Sequence, residues 1–148
     1  MNFQAPDLTQ RPPRSPRVRL GGYVILPRML DKGRATMAGQ NGEYHFACPL
    51  DEHFLSFTGL KPEEVKEQLA SGKNDYQMLQ WIEQNAPLKH TPWEIQAWSA
   101  YQEQRVPSDV ETRAFFNDMH QQAADYRTDI VTWFDLLDLD DYVTFLTK

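Results

Sequence analysis

A chain of 148 residues with 41% hydrophobic and 12% aromatic residues is large and apolar enough to form one globular domain, which excludes a disordered protein. Its net charge of −6 is unevenly distributed, because the first 35 residues are basic and the remaining residues are acidic. One cysteine excludes an intramolecular disulfide, and without a signal peptide or an apolar run of about 18 residues we expect a soluble cytoplasmic protein with no membrane span.

Residues 1–19 have the composition of an extended arm, because four prolines interrupt them and favour polyproline or turn geometry: Pro6, Pro12, Pro13 and Pro16. We expect this basic arm to pack on the acidic body, with Phe3 and Leu8 as its anchors. Two alternatives remain open, a docking peptide for a proline-reading domain and a free basic arm for nucleic acid. Nucleic acid is disfavoured because the acidic body would repel a phosphate backbone and the arm lacks interleaved aromatic residues.

Residues 20–35 predict the clearest amphipathic helix of the chain. Its start depends on Pro27, which lacks a backbone N–H and therefore belongs either at a kink or in the first turn of a helix. We expect a helix that begins near Gly22 and is kinked at Pro27, and the alternative is a helix that begins at Leu26. Gly33 falls on the apolar side, where the lack of a side chain predicts close approach of another helix.

Arg28, Asp31 and Lys32 lie on the opposite side of this helix, at spacings that make them neighbours. We interpret them as a solvent-exposed face with local ion pairs, which contribute little to stability. Arg34 lies at the edge of the apolar side, so it is the cation that we expect to be partly buried. In the alternative interpretation the cations hold a small anion and nearby residues line its pocket. The candidate ligand-binding residues are Arg28, Asp31, Lys32, Arg34, Tyr44, Cys48 and Asp51.

Residues 43–47 alternate between aromatic and other side chains, which predicts a short strand or an extended connector and therefore at most a minimal β element. Later regions show helix signals, with prolines and acidic residues at their starts and capping residues before them. In the helix capped by Asn74 we expect Tyr76 to face the core. The regions are residues 50–57, residues 62–71, the segment after Asn74, the segments that follow capping boxes at 91–94 and 108–111, and residues 128–146.

The last of these regions carries five carboxylates and no cation: Asp129, Asp135, Asp138, Asp140 and Asp141. We expect them to cap helices or pair with arginines of the arm, since a magnesium site commonly needs a substrate phosphate as well. The four histidines lack the helical spacing of a zinc site, so we expect neither a metal nor a cofactor. Cys48 is interpreted as a buried apolar residue, because a nucleophilic cysteine needs an adjacent histidine that the sequence does not specify.

Several motifs together resemble an uncharacterised bacterial family. They are Pro13-Arg14-Ser15-Pro16-Arg17, Leu20-Gly21-Gly22, Leu26-Pro27-Arg28-Met29-Leu30-Asp31-Lys32, Cys48-Pro49-Leu50-Asp51 and Trp133-Phe134-Asp135-Leu136-Leu137-Asp138. Over nearly its whole length the chain is similar to domain-of-unknown-function family 5069. The resemblance implies a small, mainly helical bacterial domain, and it brings no activity, cofactor or catalytic residue with it.

We therefore predict a mainly α-helical protein, with an extended arm at residues 1–19 and a single compact domain of about six helices at residues 20–148. The favoured function is a non-catalytic binding or interaction protein that uses the arm and the charged face of the first helix. The alternatives are an enzyme or sensor for a small anionic metabolite held by Arg28, Lys32 and Arg34, and a nucleic-acid binder. The predicted core contains Leu26, Leu30, Phe57, Ile82, Trp98, Phe115, Trp133, Phe134 and Leu137.

Overall fold

The computed structural model describes residues 5–146 and folds them into seven helices without a sheet. The mainly α-helical prediction is confirmed, although the number of helices is seven and not about six. Residues 43–47 form turns, and an isolated bridge between Leu20 and Tyr23 is the sole β pairing in this described part of the chain. The helices are α1 (Leu26–Met37), α2 (Pro49–Thr58), α3 (Pro62–Ala70), α4 (Asp75–Asn85), α5 (Pro92–Gln104), α6 (Val110–Ala124) and α7 (Trp133–Phe145).

Local sequence signals explain where most of these helices begin. Asn74 and Thr91 accept hydrogen bonds from the backbone N–H groups of residues three positions later, which satisfies donors that an α-helix leaves unpaired. The predicted capping box at 108–111 is displaced by one residue, because Asp109 caps α6 and its Oδ1 accepts the N–H of Thr112 at 2.7 Å. A carboxylate at this position also interacts favourably with the positive end of the helix dipole.

The expected start of α1 near Gly22 is wrong, and the alternative start at Leu26 is the observed one. Ile25 has a φ of 74°, in the left-handed region that no α-helix contains, so the helix cannot extend further back. Pro27 therefore sits in the first turn, where its missing N–H has no intrahelical partner to lose. The N–H of Ile25 donates to the carbonyl of Pro16 at 2.9 Å, which holds the unusual backbone against the preceding segment.

The hydrophobic core is built around α1, which contacts α2 and α3, while α7 contacts α5 and α6. The prediction that Gly33 marks a close approach is consistent with this packing, because a Cβ at Gly33 would lie 2.6 Å from Leu69 Cδ1 of α3. A second, smaller core lies between α6 and α7. The main core contains Tyr23, Val24, Ile25, Leu26, Met29, Leu30, Phe54, Leu55, Leu60, Val65, Leu69, Met78, Ile82, Ala86 and Phe134, and the second contains Phe116, Ala124, Ile130, Leu136 and Leu139.

Most predicted core residues are inside or against these cores. Four of them are fully buried, and four are partly buried and packed on the core; the fully buried ones are Leu26, Leu30, Ile82 and Phe134, and the partly buried ones are Phe57, Trp98, Trp133 and Leu137. Phe115 is a wrong prediction, because it is 58% exposed and its neighbour Phe116 is buried instead. Phe116, Met119 and Ala123 are spaced so that they lie on the side of α6 that faces the second core, and Phe115 lies on a different side. Tyr76 is also exposed, contrary to prediction.

Residues 5–19 contain no helix or strand and contact the helical part at several points. Leu8 is buried and its N–H donates to the carbonyl of Gln40 at 2.8 Å. Pro13 and Pro16 are also buried. Phe3 lies outside the described residues, and the division of the chain after residue 19 stays a prediction. No helix between residues 5 and 146 has the length and apolar character that crossing a membrane requires.

Candidate functional site

The charged side of α1 is buried, which corrects the expectation of a solvent-exposed face. Arg28 is 3% exposed and Lys32 is 2% exposed, and Asp31 is also buried. The expected order is reversed as well, because Arg34 is the most exposed of the three cations. Burying such groups is costly unless each charge has a partner. The partners come from other parts of the sequence, and they form three clusters around α1, two of which share a hydrogen bond.

The first cluster joins α1 to α7. Both terminal nitrogens of Arg28 donate to the Asp141 carboxylate, at 2.7 and 3.2 Å. Tyr44 Oη donates to the same carboxylate at 2.7 Å, and its ring lies 5.5 Å from the Arg28 guanidinium carbon. Burial lowers the pKa of Arg28, but the hydrogen bonds and charge of Asp141 outweigh burial and raise it overall. Burial and the Asp141 hydrogen bond both raise the pKa of Tyr44, so its hydroxyl stays protonated.

The second cluster joins α1 to the N-terminal segment and to α4. Arg14 donates from its Nε and Nη2 to the two carboxylate oxygens of Asp31, both at 3.0 Å, and from its Nη1 to Asp75 at 2.8 Å. Arg34 Nη1 donates to the other oxygen of Asp75, also at 2.8 Å. Burial raises the pKa of Asp75, but hydrogen bonds from Arg14 and Arg34 lower it overall. The Arg14 carbonyl accepts from Arg28 at 3.2 Å, which connects this cluster to the first.

The third cluster contains Lys32, Cys48 and Asp51. Lys32 Nζ lies 3.0 Å from Asp51 Oδ1 and 3.1 Å from Cys48 Sγ. Asp51 is 0% exposed, and its other oxygen accepts the N–H of Ala47 at 2.9 Å. Ala47 has a φ of 62°, so this hydrogen bond helps to hold a strained backbone before α2. Burial raises the pKa of Asp51, although the neighbouring Lys32 opposes the shift.

The structure thus brings all seven candidate residues into the charge layer around α1, where Arg34, Tyr44 and Cys48 are partly exposed and the other four are buried. Cys48 is therefore not the fully buried residue that was expected, and each cation has an internal counterion. Arg28 pairs with Asp141, Lys32 with Asp51 and Arg34 with Asp75. An external anion at these groups would have to displace a protein carboxylate. Their role as ligand-binding residues therefore stays a prediction.

Two of the five acidic residues, Asp135 and Asp138, pair with an arginine of the arm as expected, whereas Asp141 pairs with Arg28 of α1 and Asp129 with Arg127. Arg17 contacts Asp135 through Nη2, and it contacts Asp138 through Nε at 3.1 Å. Asp135 also accepts the N–H of Thr132 at the start of α7. Across residues 5–146, no group of three or more His, Cys, Asp or Glu side chains is arranged to hold a metal ion.

A cavity of about 490 Å³, whose lining shares no residue with these clusters, lies where α2, α5, α6 and α7 meet. The sequence analysis did not identify it. Its lining contains aromatic, hydroxyl, amide and basic groups, and no carboxylate, in a chain with 21 acidic residues. The residues that line this cavity, which we name the Arg105 cavity, are His53, Tyr101, Gln104, Arg105, Val106, Ser108, Thr112 and Trp133.

Arg105 is held in place by uncharged partners. Its Nε donates to Oε1 of Gln102 at 2.9 Å, and Gln102 is 3% exposed. Its carbonyl accepts the N–H of Trp133 at 3.0 Å, which fixes the backbone as well. Within residues 5–146, no carboxylate oxygen lies within 4.0 Å of its guanidinium. Burial therefore lowers the pKa of Arg105, and burial together with the Arg105 charge lowers the pKa of His53.

Exposed aromatic and apolar side chains lie at the Arg105 cavity, and we name Tyr101, Val106 and Phe115 its rim. Tyr101 is 64% exposed and Val106 is also exposed, and both line the cavity. The ring of Trp133, which also lines the cavity, lies 6.5 Å from the ring of exposed Phe115. Most of the lining comes from the end of α5, the connection to α6 and the start of α6, but no known motif marks this stretch, and His53 and Trp133 come from distant parts of the sequence. The amino-acid composition alone cannot show that Arg105 has no carboxylate partner among the described residues.

The fold and these two features define a small helical protein with a buried charge layer and a separate basic cavity. The chain belongs to the family described as Domain of unknown function (DUF5069), whose model matches residues 10–143. This match confirms the resemblance noted from the sequence motifs. No curated protein matches the chain.

Proposed function

We propose that the chain is a non-catalytic binding protein and that it binds an anionic group in the Arg105 cavity. We further propose that it is a bacterial protein of the cytoplasm. The sequence also favoured a binding protein, but there the expected binding surface was the arm and the charged face of α1. We assign binding to the Arg105 cavity instead. The observation that carries the proposal is the missing counterion of Arg105.

The contrast with the other arginines supports this choice. Arg105 is partly buried and pairs with no carboxylate among residues 5–146, whereas the other arginines without an ion pair in that range, Arg11 and Arg113, are exposed. An unpaired cation in a partly buried site costs free energy, which a bound anion would recover. The arginines with a carboxylate partner are Arg14, Arg17, Arg19, Arg28, Arg34 and Arg127.

Contacts within the cavity favour binding over catalysis. A nucleophilic hydroxyl needs a hydrogen bond to a base. Thr112 Oγ1 donates to Asp109 Oδ1 at 2.7 Å, but this carboxylate caps α6 and its hydrogen bonds with Thr112 lower its pKa, which makes it a weak base. In the described structure His53 makes no hydrogen bond with Ser108 or Thr112. The cavity therefore offers a fixed positive charge and aromatic surface for recognition.

The alternative, an enzyme or sensor that holds a small anionic metabolite on Arg28, Lys32 and Arg34, has weaker support. Each of these cations is already neutralised by a buried or partly buried carboxylate. Binding there would break an internal ion pair, and breaking a buried pair costs about 3–5 kcal/mol.

The test is a thermal-shift and calorimetric titration with acetate, benzoate and inorganic phosphate. An anion present at one hundred times its dissociation constant should stabilise the native protein by about 2.7 kcal/mol. The proposal predicts that Arg105→Gln loses this stabilisation and that Arg11→Gln, a control that removes the same charge from an exposed site, retains it. A shift that survives Arg105→Gln but disappears in Arg28→Ala would favour the alternative site. The absence of binding to any of these anions and to acidic peptides would contradict both.

A further inference from the structure

We infer that the anionic group is a side-chain carboxylate on an acidic segment of a partner protein, and that apolar residues beside it pack on the rim of the Arg105 cavity. This inference rests on the proposed function and names the class of partner that the same site accepts. Three features of the cavity carry it: the free edge of the guanidinium, the apolar rim and the composition of the site.

The guanidinium presents a geometry that suits a carboxylate. Gln102 occupies Nε, and the two terminal nitrogens make no hydrogen bond within residues 5–146. Two parallel N–H groups on one edge match the two oxygens of a carboxylate. Because Gln102 is buried, it acts as a positioning residue that orients this edge before a partner arrives.

The rim is too extensive for a small ligand alone. A molecule that fills about 490 Å³ can cover the ring of Tyr101, which lines the cavity. Phe115 lies outside the lining, beside Trp133, and it is 58% exposed, while Val106 in the lining is also exposed. Exposed apolar side chains clustered around a polar site are typical of a protein interface. A protein surface would cover both the cavity and this rim.

The residue composition of the cavity also favours a protein partner. Tyr, Trp and Arg are the residues that most often dominate binding energy in protein interfaces, and Tyr101, Trp133 and Arg105 all line this cavity. The lining contains no carboxylate that would repel an acidic partner. Charge complementarity therefore selects an acidic segment, and the rim selects one with large apolar residues beside the acid.

The experiment compares three matched sets of short blocked peptides by fluorescence polarisation. The first set has one Glu between large apolar residues, the second has Gln in its place, and the third has phosphoserine. We expect wild type to bind the Glu peptides about tenfold more tightly than the Gln peptides, because a charge-assisted hydrogen bond is lost in the second set. Arg105→Gln should abolish this difference, and Arg11→Gln should preserve it.

Two further variants test the rim. Tyr101→Ser and Phe115→Ser change exposed residues, so circular dichroism and thermal unfolding should resemble wild type. Both should weaken binding of the Glu and the Gln peptides. Equal affinity for Glu and Gln peptides, or undiminished binding by both rim variants, would overturn the inference. Tighter binding of the phosphoserine peptides would show that the site prefers a phosphate to a carboxylate.

Failure of the inference is distinguishable from failure of the proposed function. If acetate or benzoate binds in an Arg105-dependent way and the Glu peptides bind no more tightly than these carboxylates, the cavity is a small-molecule site and the inference fails alone. If no anion or acidic peptide binds, both fail.

Discussion

Arg28 and Asp141 are separated by 113 positions in the sequence and form two hydrogen bonds in the structure. Both side chains are buried, so this pair ties the central helix α1 to the last helix α7 in a medium with little competing water. It follows that the charged face of α1 has a structural role that its spacing in the sequence did not indicate.

Removal of one partner from this pair should destabilise the fold strongly. Arg28→Ala leaves the Asp141 carboxylate buried with Tyr44 as its remaining hydrogen-bond donor, so we expect a loss of about 3–5 kcal/mol in the free energy of unfolding. Urea denaturation measures the change. Arg11→Ala, at an exposed site, should stay within about 0.5 kcal/mol of wild type. Similar values for the two variants would show that the buried pair contributes little.

The pair of Lys32 and Asp51 should respond differently to single and double substitution. Lys32→Met alone leaves a fully buried carboxylate without its cation, which we expect to cost about 3 kcal/mol or more. The double variant Lys32→Met/Asp51→Leu removes both charges and should recover most of that loss, because an apolar pair needs no desolvation. Denaturant midpoints give the comparison. A double variant as unstable as the sum of the single variants would contradict this expectation.

Gly33→Ala should not give the stabilisation that alanine usually provides in a helix. Alanine favours helix formation by about 1 kcal/mol over glycine, but its Cβ would lie 2.6 Å from Leu69 and 3.2 Å from the ring of Phe46. Overpacking of this kind costs about 1–3 kcal/mol, so Gly33→Ala should be destabilising. Adding Leu69→Ala should reduce the penalty of Gly33→Ala, as measured in a double-mutant cycle by thermal unfolding. A stabilised single variant would mean that Leu69 moves aside at no cost.

Anion binding at the Arg105 cavity should strengthen as the pH falls. Burial and the charge of Arg105 hold the pKa of His53 below its usual value. The acidic residue next to His53 is Glu52, and both line an adjoining groove between α2 and α5. A bound carboxylate offsets the positive charge and raises the pKa of His53, so binding takes up a proton. Affinity for a Glu peptide should therefore rise as the pH drops towards the pKa of His53 in the free protein.

The control for this pH dependence is His53→Gln, which should bind with an affinity that is independent of pH between about 5 and 8, where a peptide carboxylate stays ionised. Isothermal titration calorimetry in buffers of different ionisation enthalpy also counts the protons taken up. Affinity that falls as the pH drops would contradict the placement of His53 beside the anion.

Local signals in the sequence identified the helices better than they identified the role of α1. The capping residues Asn74 and Thr91 act on backbone groups three positions away, so a short window contains the whole interaction. The burial of Arg28 depends on Asp141, and that of Arg34 on Asp75, and these partners are far apart in the sequence. Helical periodicity therefore placed the charged residues on one side correctly and assigned that side to solvent incorrectly.

The Arg105 cavity could not be predicted from the sequence for a related reason. Its defining property is that Arg105 has no carboxylate partner among residues 5–146, and such a property becomes visible once the neighbours of Arg105 are known. Phe115 illustrates the same limit, because two adjacent phenylalanines compete for one inward position and the packing of α6 on α7 selects Phe116.

The most direct test of the central claim is an NMR titration that follows the side-chain Nε–Hε signals of the arginines as a Glu-containing peptide is added. The account predicts a saturable shift of the Arg105 signal, with the signals of Arg28 and Arg34 unchanged, because those two are already held by Asp141 and Asp75. Shifts at Arg28 or Arg34 with an unchanged Arg105 signal would contradict it and would return the search for a ligand to the buried layer around α1.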